Sequence, residues 1–395
     1  MIPRIREVHI RNYKSIEQAS VSLSGFTVLV GANGSGKSNF VDALAFIQEC
    51  LSTSVEAAFR ARGSVTRVVH QTADGFRGAV GFRLVIDLDE ATSADYGFEF
   101  TADPHGSPII GREHCRILAR GEELHSFEVE AGAFTKQLPG IRPVVEPGRL
   151  MLYAASDAPE FKPVYGFLTG VRIHAIDPNQ LREIRSTEPG LELERHGRNA
   201  AAVLRVLQEH FHDRHARLVR ILGSVVPGVT NVVTEGFGNV ELLRFSERTG
   251  PGGGTVGMDQ FSASDGTLRM LGVLLAVYQP TTPTVLVVEE PEATIHPAAA
   301  DVLVSVLMDA AKRSQVIVTT HSPDVLDNKE ITDDMLRVVS KPGGRTIIAP
   351  ISSASRAAVR LKLYSPGELL RMNELNPEIE PADLNPAPDR RGAAS

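Results

Sequence analysis

Gly31-Ala32-Asn33-Gly34-Ser35-Gly36-Lys37-Ser38 has the spacing G-x-x-x-x-G-K-[ST]. Its glycines leave the backbone bare, so loop amides can close around an anion. A helix beginning at the end of the loop adds the favourable end of its dipole. Lys37 supplies a point charge for the β and γ phosphates of a nucleotide, and the Ser38 hydroxyl offers an oxygen to Mg²⁺. The expected nucleotide-binding set is Gly31, Asn33, Gly34, Ser35, Gly36, Lys37 and Ser38, with Asn39 behind them. A second group is the apolar run Val285-Leu286-Val287-Val288 ending in Glu289-Glu290-Pro291-Glu292. A carboxylate at the carboxyl end of a strand beside a phosphate loop can hold Mg²⁺, directly or through water, which is the role read for Glu289. A second carboxylate can polarise an attacking water, the role read for Glu290, while Glu292 and Asp265 rank below these two.

Two further groups complete the set. Gln315-Val316-Ile317-Val318-Thr319-Thr320 is a buried strand pattern ending in His321, whose neutral imidazole can hydrogen-bond a γ-phosphate oxygen and sense its loss. Ser264-Asp265-Gly266-Thr267 stands before a helical run. Taken alone it is an N-cap, but a helix N-terminus is also an anion site and can receive phosphate from another subunit.

The elements that must position these residues can be read from periodicity. Residues 5–30 read as two strands joined by a turn at Asn12-Tyr13-Lys14-Ser15, with Phe26 to Val30 buried on both faces. Ser38 to about Leu51 carries apolar residues at helical spacing, so the order is strand, loop, helix, as the loop motif requires. From 60 to 135, short alternating runs such as Phe82 to Ile86 and Tyr96 to Phe100 predict an antiparallel β lobe. Val171 to Ile176 reads as a strand returning to the core, Asn199 to Leu222 as a helix pair, and the segment after Pro227 as two strands. Helix 267–279, strand 284–289, helix 297–312 and strand 315–320 then alternate, which implies a parallel sheet.

Composition bounds the answer. The chain has 395 residues, 42% of them hydrophobic and 23% charged, enough for a sizeable core and too balanced for wholesale disorder. No apolar run reaches the length of a spanning helix, so the expectation is a cytoplasmic protein with no membrane partner. Cys50 and Cys115 lie outside any metal-ligand spacing and fit a reducing compartment. With 41 basic and 48 acidic residues the net charge is −7, so a globally electropositive nucleic-acid clamp is not indicated.

Taken in order, these motifs resemble ABC-type ATPase heads of the SMC, RecF and overcoming-lysogenization-defect group, the stand-alone AAA ATPases of bacteria. The likeness runs through Asn12-Tyr13-Lys14-Ser15, Gly31 to Asn39, Asp42-Ala43-Leu44, Ser264 to Arg269, Glu289 to Pro297 and Thr319 to Pro323. It implies an α/β fold: a P-loop ABC-type ATPase head with a parallel core sheet, an antiparallel β lobe and a helical subdomain. The core is placed at 1–58, 165–182 and 258–365, the β lobe and its connecting segment at 59–164, the helical subdomain with a β hairpin at 183–257, and a largely disordered tail at 366–395. The resemblance further implies ATP and Mg²⁺ as cofactors, with Lys37, Glu290 and His321 catalytic. Ser264, Asp265 and Gly266 would form a signature contacting ATP bound by a second copy, so that two heads sandwich two nucleotides. Ala293 to His296 would be the D-loop. Glu289 stands where many ABC heads have aspartate and is one methylene longer. The glutamine-loop residue, expected to touch both nucleotide and metal, is read as Gln180, with Gln71 the other candidate.

Between Lys37 and Ser264 there are no sustained heptads, which excludes a long SMC-type arm. No Asp-x-Asp follows His321, so a fused Toprim nuclease is not expected and any cleavage would fall to a separate protein. The basic concentration at Arg195, Arg198, Arg205, Arg214, Arg217 and Arg220 includes Glu194, Glu209 and Asp213, which favours a solvated helix face over a phosphate-binding one. Arg11 and Lys14 are read as nucleotide contacts. The expected activity is ATP hydrolysis by a homodimer or higher oligomer acting as a conformational switch in DNA maintenance or antiphage defence. Two alternatives are carried beside it, an ATP-dependent DNA clamp and a scaffold for a separate nuclease or toxin effector.

Overall fold

In the computed structural model, residues 1–70, 78–103, 107–136, 148–250 and 253–379 are described. Strands β1 (Arg4–Tyr13) and β2 (Ile16–Ser22) form a hairpin in which Val8 faces Val21 and Ile10 faces Ala19. The other edge of β1 pairs with β4 (Val80–Asp87), which continues through β5 (Thr92–Ala102), β6 (Pro108–Ala119), β7 (Glu122–Glu130) and β8 (Ala133–Lys136). The sheet order is β2-β1-β4-β5-β6-β7-β8, antiparallel throughout. Residues 4–22 therefore extend the β lobe, whereas the sequence reading places them in the core. Their alternation of buried and open positions allows only one face to be covered, which suits an antiparallel sheet.

The second sheet is the parallel core. It comprises β3 (Phe26–Val30), β9 (Val171–His174), β14 (Val285–Glu289), β15 (Gln315–Thr320), β16 (Leu336–Ser340) and the antiparallel edge strand β17 (Ile347–Pro350). Its order is β17-β16-β3-β15-β14-β9. Both faces are covered, which is why these strands read as unbroken apolar runs. Val285, Val287 and Ile317 share a core with Phe40, Val41 and Leu44 of helix Lys37–Ser52. Leu286, Val288, Val316 and Val318 share the opposite core with helices Asp265–Tyr278 and Ala300–Ala310. A small third sheet joins β10 (Arg185–Ser186), β11 (Val229–Phe237), β12 (Val240–Arg248) and β13 (Thr255–Asp259). The expected helix pair lies against it as Ala200–His210 and His212–Val225, separated by the non-helical Phe211.

The lobe and the core meet on aromatic rings. Phe46, on the helix after the phosphate loop, lies 5.7 Å from the Tyr13 ring, 5.0 Å from Phe59 and 5.6 Å from Phe82, so the helix is wedged against the antiparallel sheet. The Tyr13 hydroxyl donates to Asp42 Oδ2 at 2.6 Å on the same helix. Composition reads 366–395 as a largely disordered tail; its first part is structured, with Pro366–Arg371 a helix carrying a Ser365/Glu368 capping box. Leu369 and Leu375 are buried in the core, and Ile351 bridges Pro377. Residues 380–395 lie outside the described residues.

Within the lobe, Glu113 is fully buried and accepts hydrogen bonds from the Met151 amide, from the Leu152 amide at 2.8 Å and from the Tyr96 hydroxyl at 3.1 Å. Burial nevertheless outweighs these bonds and pushes the carboxyl up to about 7, from an ordinary 4.5. The folded state thus holds its proton over a range in which the unfolded chain has lost it. Stability should fall as pH rises from 4.5 towards about 7. Urea unfolding between about pH 5.5 and about pH 8 should show a loss of roughly 2 kcal/mol from this group. Glu113→Gln, which cannot titrate, should flatten that slope, and an unchanged slope would assign the pH dependence elsewhere.

Candidate nucleotide site

The phosphate loop leaves β3 at Gly31 and ends at Gly36, the N-cap of helix Lys37–Ser52. Gly34 and Gly36 have φ of 76° and 114°, backbone open to glycine and costly for other residues. The surroundings also demand glycine. A Cβ on Gly31 would lie 2.1 Å from the Val339 carbonyl oxygen, and one on Gly36 would lie 2.3 Å from Thr346 Oγ1. Thr346 is thus a brace that sequence reasoning missed. Its hydroxyl donates to the Ser35 carbonyl at 3.0 Å and stands 2.7 Å from Ser15 Oγ, which accepts from Asn39 Nδ2 at 2.6 Å. The Asn39 amide nitrogen therefore helps hold the loop from behind. The only sequence signal for Thr346 is its place between the apolar runs of β16 and β17.

Lys37 is buried and folds back on its own loop, donating to the Gly31 carbonyl at 2.7 Å and to the Ala32 carbonyl at 3.1 Å. Burial lowers its pKa, and the carboxylates of Glu290 and Glu292 oppose that shift. Those carboxylates arrive through strand register: Thr319 pairs with Glu289 and Leu29, and Thr320 with Val30. Strands β3, β15 and β14 therefore end in step, and the turns that leave them emerge together at one edge of the sheet. Glu290 takes a left-handed φ of 42°, fixed by its amide donating to the Thr319 carbonyl at 3.0 Å and Thr319 Oγ1 at 3.1 Å. Its Oε1 lies 3.5 Å from His321 Nδ1, with both side chains partly open to solvent. Glu292 is more deeply buried and accepts from the Thr320 hydroxyl, while its Oε2 is a buried atom with no partner; burial raises its pKa. The loop residues Gly31 to Ser35 and His321 border a cleft of about 610 Å³ whose far wall includes Lys341, Asn373 and Asn376.

The phosphate loop, Glu290 and His321 thus lie at the same end of the parallel sheet. Gln180 does not join them. It sits in the turn Pro178–Leu181 after β9, separated from β3 by β15 and β14, and does not line the cleft. Gln71 lies outside the described residues. Ser264 caps helix Asp265–Tyr278 by accepting from the Thr267 amide at 3.1 Å, and Asp265 is bonded by Arg182 at 2.6 Å. A Cβ on Gly266 would lie 2.7 Å from the Thr294 carbonyl oxygen, so this helix start is packed on the turn after β14. Ser264 and Asp265 are exposed, and neither they nor Gly266 line the cleft. Arg11 is 3.0 Å from Glu99, and Lys14 pairs with Asp42, which occupies both as structural cations. In the basic stretch, Arg198 and Arg217 pair with Glu194 and Asp309, while Arg205 pairs with the buried Glu241.

Among the described residues no group of three or more His, Cys, Asp or Glu side chains could hold a metal ion. The donor set here suits Mg²⁺ carried by a phosphate chain instead: Ser38 is exposed at the helix start, and Glu289 is the carboxylate that ends β14, with β15 between it and β3. Glu289 is already engaged, since Arg195 Nη2 lies 2.9 Å from its Oε1.

Comparison with known proteins bears on this geometry. Residues 171–327 match the family model "AAA domain, putative AbiEii toxin, Type IV TA system", and residues 4–76 match an AAA ATPase domain model. The structure superposes on an Smc head bound to the C-winged helix domain of ScpA with a TM-score of 0.52 at 15% identity, covering 89% of this chain and 99% of that one. An Smc head with an extended coiled coil derived from Pyrococcus furiosus gives a TM-score of 0.52 at 13% identity, covering 92% and 100%. Two stretches of the chain thus match AAA ATPase domain models, and its fold is that of an Smc head.

Its sequence similarity to the Smc proteins is local. The chromosome partition protein Smc of Methanocaldococcus jannaschii is 40% identical over 63 residues, 16% of this chain and 5% of that protein. The Smc protein of Methanococcus voltae is 43% identical over 44 residues, 11% of this chain and 4% of that protein. Among the described residues, no helix is long and apolar enough to cross a membrane. The Thr346 brace is open to test. Thr346→Val keeps the volume but removes the bonds to Ser35 and Ser15, and should lower the unfolding free energy in urea by about 1–3 kcal/mol.

Proposed function

We propose that this head binds ATP with Mg²⁺ between two copies of the chain and hydrolyses it, the two heads engaging while the triphosphate is whole and parting when it is cleaved. The observation that carries the reading is the division of the parts. Lys37, Glu290 and His321 converge at one edge of the parallel sheet, whereas the exposed Ser264 cap stays out of the cleft beside its own phosphate loop. A helix N-terminus set apart from its own phosphate loop is matched by a second copy bringing a phosphate to it.

In this reading the amides of Gly34 to Ser38 and the Lys37 ammonium hold the β and γ phosphates, with the ammonium leaving the Gly31 and Ala32 carbonyls to reach them. Bound Mg²⁺ supplies charge neutralisation on the phosphate oxygens and would be held by Ser38 and Glu289. Glu290 orients a water and takes its proton, held on its unusual backbone by Thr319. His321 keeps the Glu290 carboxylate in place and faces the γ-phosphate. Ser264, Asp265 and Gly266 close over the far end of a nucleotide held by the other copy. Action in the cytoplasm, in chromosome maintenance or in defence with a separate nuclease or toxin effector, fits both the Smc-head fold and the toxin-system description of the matching family model.

Glu290→Gln should lower ATP turnover by about 100-fold or more and accumulate an ATP-dependent dimer, read by hydrolysis assay and light scattering. Lys37→Ala should lose nucleotide binding. Wild-type turnover in Glu290→Gln would remove that residue from the chemistry, and turnover proportional to enzyme in a strictly monomeric sample would remove the second copy.

A further inference from the structure

The carboxylate expected to receive the metal is not waiting for it. Glu289 is only 12% exposed, and Arg195 Nη2 lies 2.9 Å from its Oε1. The guanidinium belongs to neither the phosphate loop nor the strand. It comes from residues 192–199, which run alongside the extension of β9: the Ala175 amide donates to the Arg195 carbonyl at 2.8 Å and the Asp177 amide to the His196 carbonyl at 3.2 Å. This strut is fixed at both ends. The Leu193 amide donates to Gln279 Oε1 at 2.8 Å, while Asn199 donates to the Glu192 carbonyl and accepts from the Glu194 amide, each at 2.8 Å. Gln279 is the C-cap of helix Asp265–Tyr278, the helix whose other end presents Ser264.

From this arrangement we infer that Arg195 is a resident counter-cation for Glu289, and that a divalent cation entering with nucleotide must displace it. The inference rests on the ATPase reading and deepens it. An anionic side chain cannot stay this enclosed without a partner, so metal-free Glu289 needs a positive charge, and a strut arginine supplies it. The two cations compete for one carboxylate. Because Arg195 Nε is buried and has no hydrogen-bond partner of its own, the contact to Glu289 is what holds the tip of this side chain in place. Once the metal takes the carboxylate, that hold on the strut is lost. The loss is felt where the strut meets Gln279, and so by the helix that offers Ser264 to the second copy. Arg195 is in these terms a positioning residue that links metal loading to the signature helix.

The test is the Mg²⁺ concentration needed for half-maximal binding of a fluorescent ATP analogue, measured by anisotropy on the full chain, with Mn²⁺ occupancy followed in parallel by electron paramagnetic resonance. Arg195→Gln should lower the midpoint for both metals by about tenfold, the scale expected from removing one charged hydrogen bond. Arg195→Lys, which keeps the charge but loses the fork, should fall between the two. Glu289→Gln in the Arg195→Gln background should cancel the gain. Coincident midpoints in wild type and Arg195→Gln would overturn the inference while leaving the ATPase reading intact. Should Arg195→Gln fail to fold, Arg195→Lys decides in its place, and a wild-type midpoint there overturns it. Absence of nucleotide binding in the wild type at any metal concentration would instead sink the ATPase reading itself, and the inference with it.

Discussion

Three parallel strands ending in step are what the rest of the site depends on. Each of β3, β15 and β14 is only five or six residues long and rich in apolar side chains that point alternately into the two cores, so the register can slip only by pulling side chains out of one core and into the other. Pairing of Val30 with Thr320, and of Thr319 with Glu289, then fixes where the glycine loop, the histidine and the carboxylates emerge. Loop chemistry is set by sheet geometry, and the sheet is specified by burial on both faces.

The second constraint lies behind the loop. The Val339 carbonyl and the Thr346 hydroxyl approach Gly31 and Gly36 so closely that no side chain could be inserted, and Ser15 and Asn39 complete the support. These residues come from β16, from the approach to β17, from the turn after β1 and from the first turn of the loop helix. A loop held from several sides at once keeps its amides aimed without a ligand, which is what binding a phosphate chain at small ordering cost requires.

How much of this can be read from the sequence depends on which interactions are local. The glycine loop, the β14 and β15 strands and the Ser264 cap are legible in motif and period, and all lie where those patterns put them. The N-terminal hairpin is harder, because its alternating pattern says that one face is buried, not which sheet it joins; that is decided by β4, some seventy residues later. Thr346 and Arg195 act through long-range contacts and carry no spacing signature, so neither can be identified from sequence as part of the site. Gln180 looks suitable because it ends a strand of the parallel sheet, but that strand is the far edge. The ordered run Pro366 to Ile379 is rich in turn formers, and its burial rests on a few apolar residues, Leu369 and Leu375 among them, which composition outvotes.

Lys37 carries one more consequence. With its ammonium held by the carbonyls of Gly31 and Ala32, the loop closes into a ring whose positive centre is solvated by protein rather than by water. An arriving anion then exchanges one set of oxygens for another around the same nitrogen, with little hydration shell to strip and little side-chain freedom left to lose. The loop is already shaped by an internal mimic of its own ligand.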